Sequence, residues 1–241
     1  RAVELLVESI KQNKNIVIVG DFDADGATST ALSMLALRAM GVKQCAYLVP
    51  NRFDFGYGLS PEIVEVAAEQ NAQVLITVDN GISCIAGVEK AKSLGMTVII
   101  TDHHLAAEVL PNADAIVNPN QLGCDFPSKN LAGVGVAFYV MLGLRAYLTT
   151  KNYFVDKQAP NLASLLDIVA LGTVADVVKL DANNRVLVQQ GLARIRAGVC
   201  RMGISALISV AKRNQAQLVA SDLGFSLGPR LNAAGRLDEM S

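Results

Sequence analysis

The short apolar run Ile16-Val17-Ile18-Val19 breaks off into Asp21, Asp23 and Asp25, three carboxylates at alternate positions. A run of that length suits a strand covered on both faces. Like charges so close repel and resist losing water, so a fold keeps them at a strand end only where cations or hydrogen-bond donors neutralise them. The event recurs where residues 74–78 run into Asp79-Asn80-Gly81 and residues 97–101 run into Asp102-His103-His104. In a doubly wound sheet the carboxyl ends of parallel strands share one edge, where ligands bind. The three groups are therefore predicted to converge, and a divalent metal is the simplest neutraliser.

The rest of the pattern supports an α/β reading. Residues 2–12, 28–40, 60–70 and 83–94 read as helices between strands at 16–19, 44–49, 74–78 and 97–101, with a fifth short strand at 115–117. Ser60 is a capping residue with Pro61 in the first turn, and Gly41 and Gly95 close helices. A loop follows at 118–130, after which the apolar period changes to about 3.6. Residues 131–148, 161–173, 185–197 and 204–213 then read as helices. The segment 223–237 holds Gly224, Gly228, Pro229 and Gly235 around Arg230, Asn232 and Arg236, and reads as a loop approaching a ligand. The expected fold is α/β, with a parallel doubly wound sheet followed by a mostly helical lobe. Residues 1–130 form the α/β domain with most ligands, 131–220 the helical part carrying Asp176, and 221–241 a Gly/Arg-rich loop leading to a further domain of a longer protein.

With 241 residues, 51% of them hydrophobic, the chain can bury a sizeable core. Cys45, Cys84, Cys124 and Cys200 are widely spaced, which suits buried thiols in a reducing compartment better than disulfides or zinc. No signal-like start is visible and the longest uncharged apolar stretch ends at Arg145, so a cytoplasmic protein without a membrane span is expected. The net charge of −1 conceals an asymmetry. Residues 1–178 carry 12 Lys and Arg against 18 Asp and Glu, and residues 179–241 carry 9 against 4. The two parts stand at −6 and +5, so the far end could attract phosphates or simply be a solvated basic face.

Each motif has a competing explanation. Asp21 to Gly26 matches the start of an EF-hand loop, but the twelfth position is Leu32 and a strand precedes the acids. A strand followed by D-x-D also fits an aspartyl-phosphate enzyme, and a turn of solvated acids is the plain structural alternative. His103 and His104 are the only histidines and sit where oxygen ligands gather, so one imidazole on a metal and one facing substrate is the preferred division. Mixed carboxylate and imidazole ligation favours manganese or magnesium over zinc. Asp176, at an apolar helix end, can close the site, with Asp167 as its rival. Arg52 and Tyr57 lie in a Gly-aromatic loop after the second strand, where they can hold a phosphate and pack on a base.

The four elements Asp21–Gly26, Val78-Asp79-Asn80-Gly81, Asp102-His103-His104 and Ala175-Asp176 occur in the order seen in the DHH phosphoesterase superfamily, which this chain resembles. Within that superfamily, residues 49–60, 171–178 and 228–237 are similar to the RecJ family of single-strand-specific exonucleases. The resemblance implies a two-metal phosphodiesterase, dependent on Mn2+ or Mg2+, that degrades single-stranded DNA from the 5′ end in recombination and repair. A single-strand-binding protein and a helicase are the partners it implies. On this reading Asp23, Asp25, Asp79, Asp102, His103 and Asp176 hold two ions and Asp21 positions them or a water. His104 then contacts the scissile phosphate or leaving oxygen, while Arg52, Tyr57, Arg230, Asn232 and Arg236 hold the strand. The alternatives are a metal-stabilised binding module for single strands or a replication partner, and a phosphodiesterase for small nucleotides.

Overall fold

The computed structural model describes residues 1–50, 58–155 and 158–237. Five parallel strands, β1 (Ile16–Val19), β2 (Cys45–Leu48), β3 (Val74–Val78), β4 (Thr97–Thr101) and β5 (Ala115–Val117), form one sheet in the order β2-β1-β3-β4-β5. Strand order reverses its spatial progression between β1 and β3, which makes their carboxyl ends the switch point where a crevice opens.

Alternation along the strands explains why they read as unbroken apolar runs. Ile16, Ile18, Val74, Ile76, Val78 and Ile99 face a large core built with α1 (Ala2–Lys11) and α2 (Ala24–Ala39). Val17, Val19, Leu75, Val98 and Ile100 face a smaller core under α3 (Pro61–Glu69) and α4 (Ile85–Ser93). Both faces are covered, so no position on these strands is left for a charged residue.

The later helices are α5 (Gly133–Thr150), α6 (Leu166–Ala175), α7 (Ala182–Arg196) and α8 (Met202–Val210). They do not build a separate interior. Residues between Leu131 and Leu227 supply side chains to the same core as α1 and α2, so the helical lobe expected from residue 131 is a further layer on the first sheet face. By length and composition α5 could cross a membrane, yet 56% of its apolar window is buried inside the protein, as befits a core helix.

Two segments differ from expectation. Helix α2 begins at Ala24 and not at residue 28, because Asp23 caps it by accepting from Gly26 N at 2.8 Å and Asp25 occupies its first turn. Carboxylates are favoured there by the exposed N–H groups and the helix dipole. Residues 223–237, expected as a loop, are helical. After the short α9 (Ala220–Asp222), a π-helical turn (Leu223–Leu227) leads into α10 (Gly228–Leu237). The glycines there serve close packing, not turning.

Candidate metal centre

The sheet register sets the first part of the site. Val19 pairs with Thr77 and Val78 with Thr101, so Asp21, Asp79 and Asp102 stand side by side just beyond the three strands. Asp79 N continues the ladder to Thr101 O and Asp102 N to Val117 O. Asp79 takes a left-handed backbone (φ 63°), a conformation Asp tolerates better than most residues. Asn80 locks this corner by donating to Val19 O and Val78 O, at 3.1 and 2.9 Å.

The second part comes from the helical layer. Asp25, 1% exposed, accepts from Gly133 N at 2.5 Å and Val134 N at 2.9 Å, the first free amides of α5. Asp176 caps the end of α6 and points at the same place. At the focus is His103 Nε2, which lies 3.1 Å from Asp79 Oδ1, 3.6 Å from Asp176 Oδ2 and 3.9 Å from Asp25 Oδ2.

Asp79 Oδ1, His103 Nε2 and Asp176 Oδ2 are buried polar atoms without a hydrogen-bond partner, all aimed at one spot. Such orphans are expensive unless something else satisfies them. Among the described residues, two groups can each hold an ion, Asp25-His103-Asp176 and Asp79-His103-His104. Oxygen-rich sets completed by imidazole suit Mn2+ or Mg2+.

Protonation follows the same logic. Burial pushes Asp25 up to about 7 and Asp176 up to about 8, and neighbouring carboxylates add to it. Asp79 is raised well above the ordinary range by burial and then by Asp25. Asp25 and Asp79 stand close enough that the charge of each disfavours ionisation of the other. Burial, then His104, lowers His103 to about 4, so its ring is neutral. Its Nε2 has no hydrogen-bond partner and is free to act as a ligand.

Beside these atoms opens a cleft of about 260 Å³ lined by Asp21, Asp79, Asn80, Asp102 and His104 among others. Asp21 is buried, accepts from Phe22 N, and is pushed up to about 6 by burial. Asp23 lies close enough to raise Asp25, Asp79 and Asp176. Asp102, expected as a ligand, falls outside both groups. Its Oδ1 accepts from His103 N, His104 N and His104 Nδ1, and its Oδ2 from Ile82 N at 2.9 Å. Those bonds hold its carboxyl below the usual range against the upward pull of burial. In this arrangement it orients His104, whose pKa rises through the 2.7 Å bond between them.

Asp167 is excluded as the rival of Asp176, because it is fully buried beneath Arg201, whose backbone N it accepts at 2.7 Å. Arg230 is exposed on α10, donating to Ser226 O. Asn232 is anchored to the start of α2 through its acceptor, Oδ1, which takes the bond from Ala24 N and leaves the Nδ2 donors unused by that contact. Arg52 and Tyr57 lie outside the described residues, as does the side chain of Arg236.

Sequence reasoning missed Gly133. A Cβ there would sit 2.6 Å from Asp79 Cβ and 2.7 Å from Asp79 Oδ1, so α5 can present its amides to Asp25 only with glycine at its start. The sole signal was the Gly-Val-Gly-Val opening of an apolar helix. Gly133→Ala is expected to lower stability by about 1–3 kcal/mol and to weaken Mn2+ binding, measured by thermal melts with and without the ion. An unchanged melt in both conditions contradicts the packing described.

A model of the DHH family's N-terminal domain matches residues 15–173. The chain belongs to the DHH family. This DHH chain is 63% identical over 242 residues to the single-stranded-DNA-specific exonuclease RecJ of Salmonella typhimurium, covering 100% of this chain and 42% of that protein. It is 38% identical over 238 residues to RecJ of Bacillus subtilis, covering 99% and 28%. The DHH chain thus spans 42% of the length of relatives such as the Salmonella protein. Among solved structures, exonuclease RecJ bound to manganese superposes with a TM-score of 0.84 at 35% identity, covering 99% of this chain and 57% of that one. RecJ from Thermus thermophilus in complex with Mn2+ gives 0.80 at 33% identity, covering 98% and 32%.

Proposed function

We propose that this chain is the catalytic core of a metal-dependent exonuclease that hydrolyses single-stranded DNA from the 5′ end. The observation that carries the reading is the meeting of orphaned Asp79, His103 and Asp176 atoms with Asp25 at one buried point. The similarity to RecJ exonucleases supports the substrate class.

Asp25, Asp79, His103 and Asp176, with Asp23 alongside, would hold two divalent ions, Mn2+ or Mg2+. When bound, such ions supply Lewis acidity at phosphorus and an acidified water as nucleophile. Asp21, in the cleft beside Asp79, orients that water through a carboxylate whose proton affinity burial has raised. His104 donates from Nδ1 to Asp102, and the rise in its pKa through that bond favours the imidazolium, whose Nε2–H is the proton available at the cleft. It can bind the scissile phosphate and hand that proton to the leaving oxygen. Arg230, Arg236, Arg52 and Tyr57 remain the candidates for holding the strand. A single-strand-binding protein and a helicase, acting in cytoplasmic recombination and repair, are the partners this reading implies.

The test is a manganese titration of the full-length protein against end-labelled single-stranded and duplex oligonucleotides, for which metal-dependent release of product from the single strand is expected. His104→Ala should slow turnover by about 10²–10⁴-fold, the worth of a positioned proton donor, with Mn2+ affinity near wild type. Loss of Mn2+ affinity instead would assign His104 to an ion and remove it from proton transfer. A wild-type protein that binds single strands without releasing product under any metal would overturn the enzyme reading.

A further inference from the structure

Helix α10 lies against both flanks of the metal centre. Asn232 Oδ1 accepts from Ala24 N at 2.7 Å, and Ala24 stands between Asp23 and Asp25 at the start of α2. Three residues on, Gly235 is buried, and a Cβ there would lie 2.1 Å from Phe22 O. At the other end of the helix, a Cβ on Gly228 would lie 2.8 Å from Ala175 Cβ, the neighbour of Asp176. One helix therefore touches the loop bearing Asp23 and Asp25 and also the helix end bearing Asp176.

The bond from Asn232 does specific work at α2. The first N–H groups of a helix have no partner within it. Asp23 serves Gly26 N through Oδ1 only, and Asn232 serves Ala24 N, so the acid loop is held from outside without using a second carboxylate oxygen.

We propose that Asn232 is a positioning residue of the metal centre, holding the Asp21–Asp25 loop in the conformation that receives divalent ions, and is not a phosphate ligand. This rests on the metal-centre reading above. Orienting partners of metal ligands commonly change affinity by about 10–100-fold when removed.

The experiment is calorimetric titration of Mn2+ into the full-length protein, alongside single-strand nuclease kinetics. Asn232→Ala is expected to weaken Mn2+ binding about tenfold or more and to raise the Mn2+ concentration for half-maximal activity by the same factor. KM for the oligonucleotide at saturating Mn2+ should stay within about twofold, as for a residue acting through ligand orientation. Asn232→Asp keeps the acceptor and should restore most of the affinity. Gly235→Ala pushes on the same loop from Phe22 and should weaken Mn2+ in parallel. Unchanged Mn2+ affinity with a raised KM would overturn the proposal in favour of strand binding, and a lowered melting temperature with unchanged Mn2+ affinity would reduce Asn232 to a structural role. Calorimetry requires no turnover, so a wild-type protein that binds Mn2+ but cleaves nothing would refute the nuclease reading while still testing Asn232.

Discussion

Asp79→Asn is expected to abolish metal-dependent nuclease activity in the full-length protein while making the metal-free protein more stable. Asp79 Oδ1 is buried, has no hydrogen-bond donor, and lies 3.1 Å from His103 Nε2. An amide is a poor substitute for a charged ligand, and losing several kcal/mol of charge stabilisation at phosphorus corresponds to a rate loss on the order of 10³-fold or more. Without metal the same carboxylate faces Asp25, Asp23, Asp176 and Asp21, each raising its proton affinity. Asparagine is nearly the same shape, tolerates the left-handed backbone, and brings an uncharged amide with N–H donors to a spot crowded with carboxylates. Replacing a buried, uncompensated charge in this way should stabilise by about 1–4 kcal/mol. Activity assays and metal-free melts at pH 8 check both halves. Activity within tenfold of wild type, or a melting temperature that falls, would contradict the site as described.

The second large effect is an inversion of the pH dependence of stability by metal. Asp25 at about 7 and Asp176 at about 8 stand above the ordinary carboxylate value of 3.8. For an acid raised on folding, the native state binds more protons than the unfolded one. Its stabilising contribution is complete below the unfolded value and is lost as pH rises through the native value. His104, also raised, acts with the same sign, and His103, lowered to about 4, is neutral in both states above about pH 7. Between pH 6.5 and 8.5 the metal-free protein should therefore lose on the order of 2 kcal/mol, or about 4–8 °C in melting temperature for a chain of this size. With excess Mn2+ the ligands are deprotonated by the ion, so binding tightens as pH rises and the loss should vanish or reverse. Melts across that range with chelator and with Mn2+ make the comparison. A metal-free protein that gains stability toward pH 8.5 would show that these carboxylates are not crowded as the structure places them.

Much of this centre was legible because strand ends are legible. Three short apolar runs ending in acids place Asp21, Asp79 and Asp102 on one edge once parallel pairing is granted, and the register delivers them there. Asp176 was visible as an acid at an apolar helix end. What escaped was the backbone. The amides of Gly133 and Val134 that hold Asp25 are 108 and 109 residues away and carry no side-chain signature. Asp102 looked like its neighbours as a ligand, and only the count of donors reaching it shows its oxygens engaged by Ile82, His103 and His104. The residues 223–237 were misread because their glycine density was taken as the mark of a loop approaching a ligand, whereas here the missing side chains let a helix press on Phe22 and Ala175. Local propensity cannot distinguish the two uses, because the difference lies in what packs alongside.

The bond of Asp25 to the start of α5 also orders events in time. During synthesis the sheet residues and their acids leave the ribosome well before α5 and α6, and until those helices arrive Asp25 lacks its two amides and Asp176 is not yet made. A nascent or truncated chain ending near residue 130 therefore carries the acidic motifs without a competent centre. The ligand set is completed only when the last layer has settled onto the sheet.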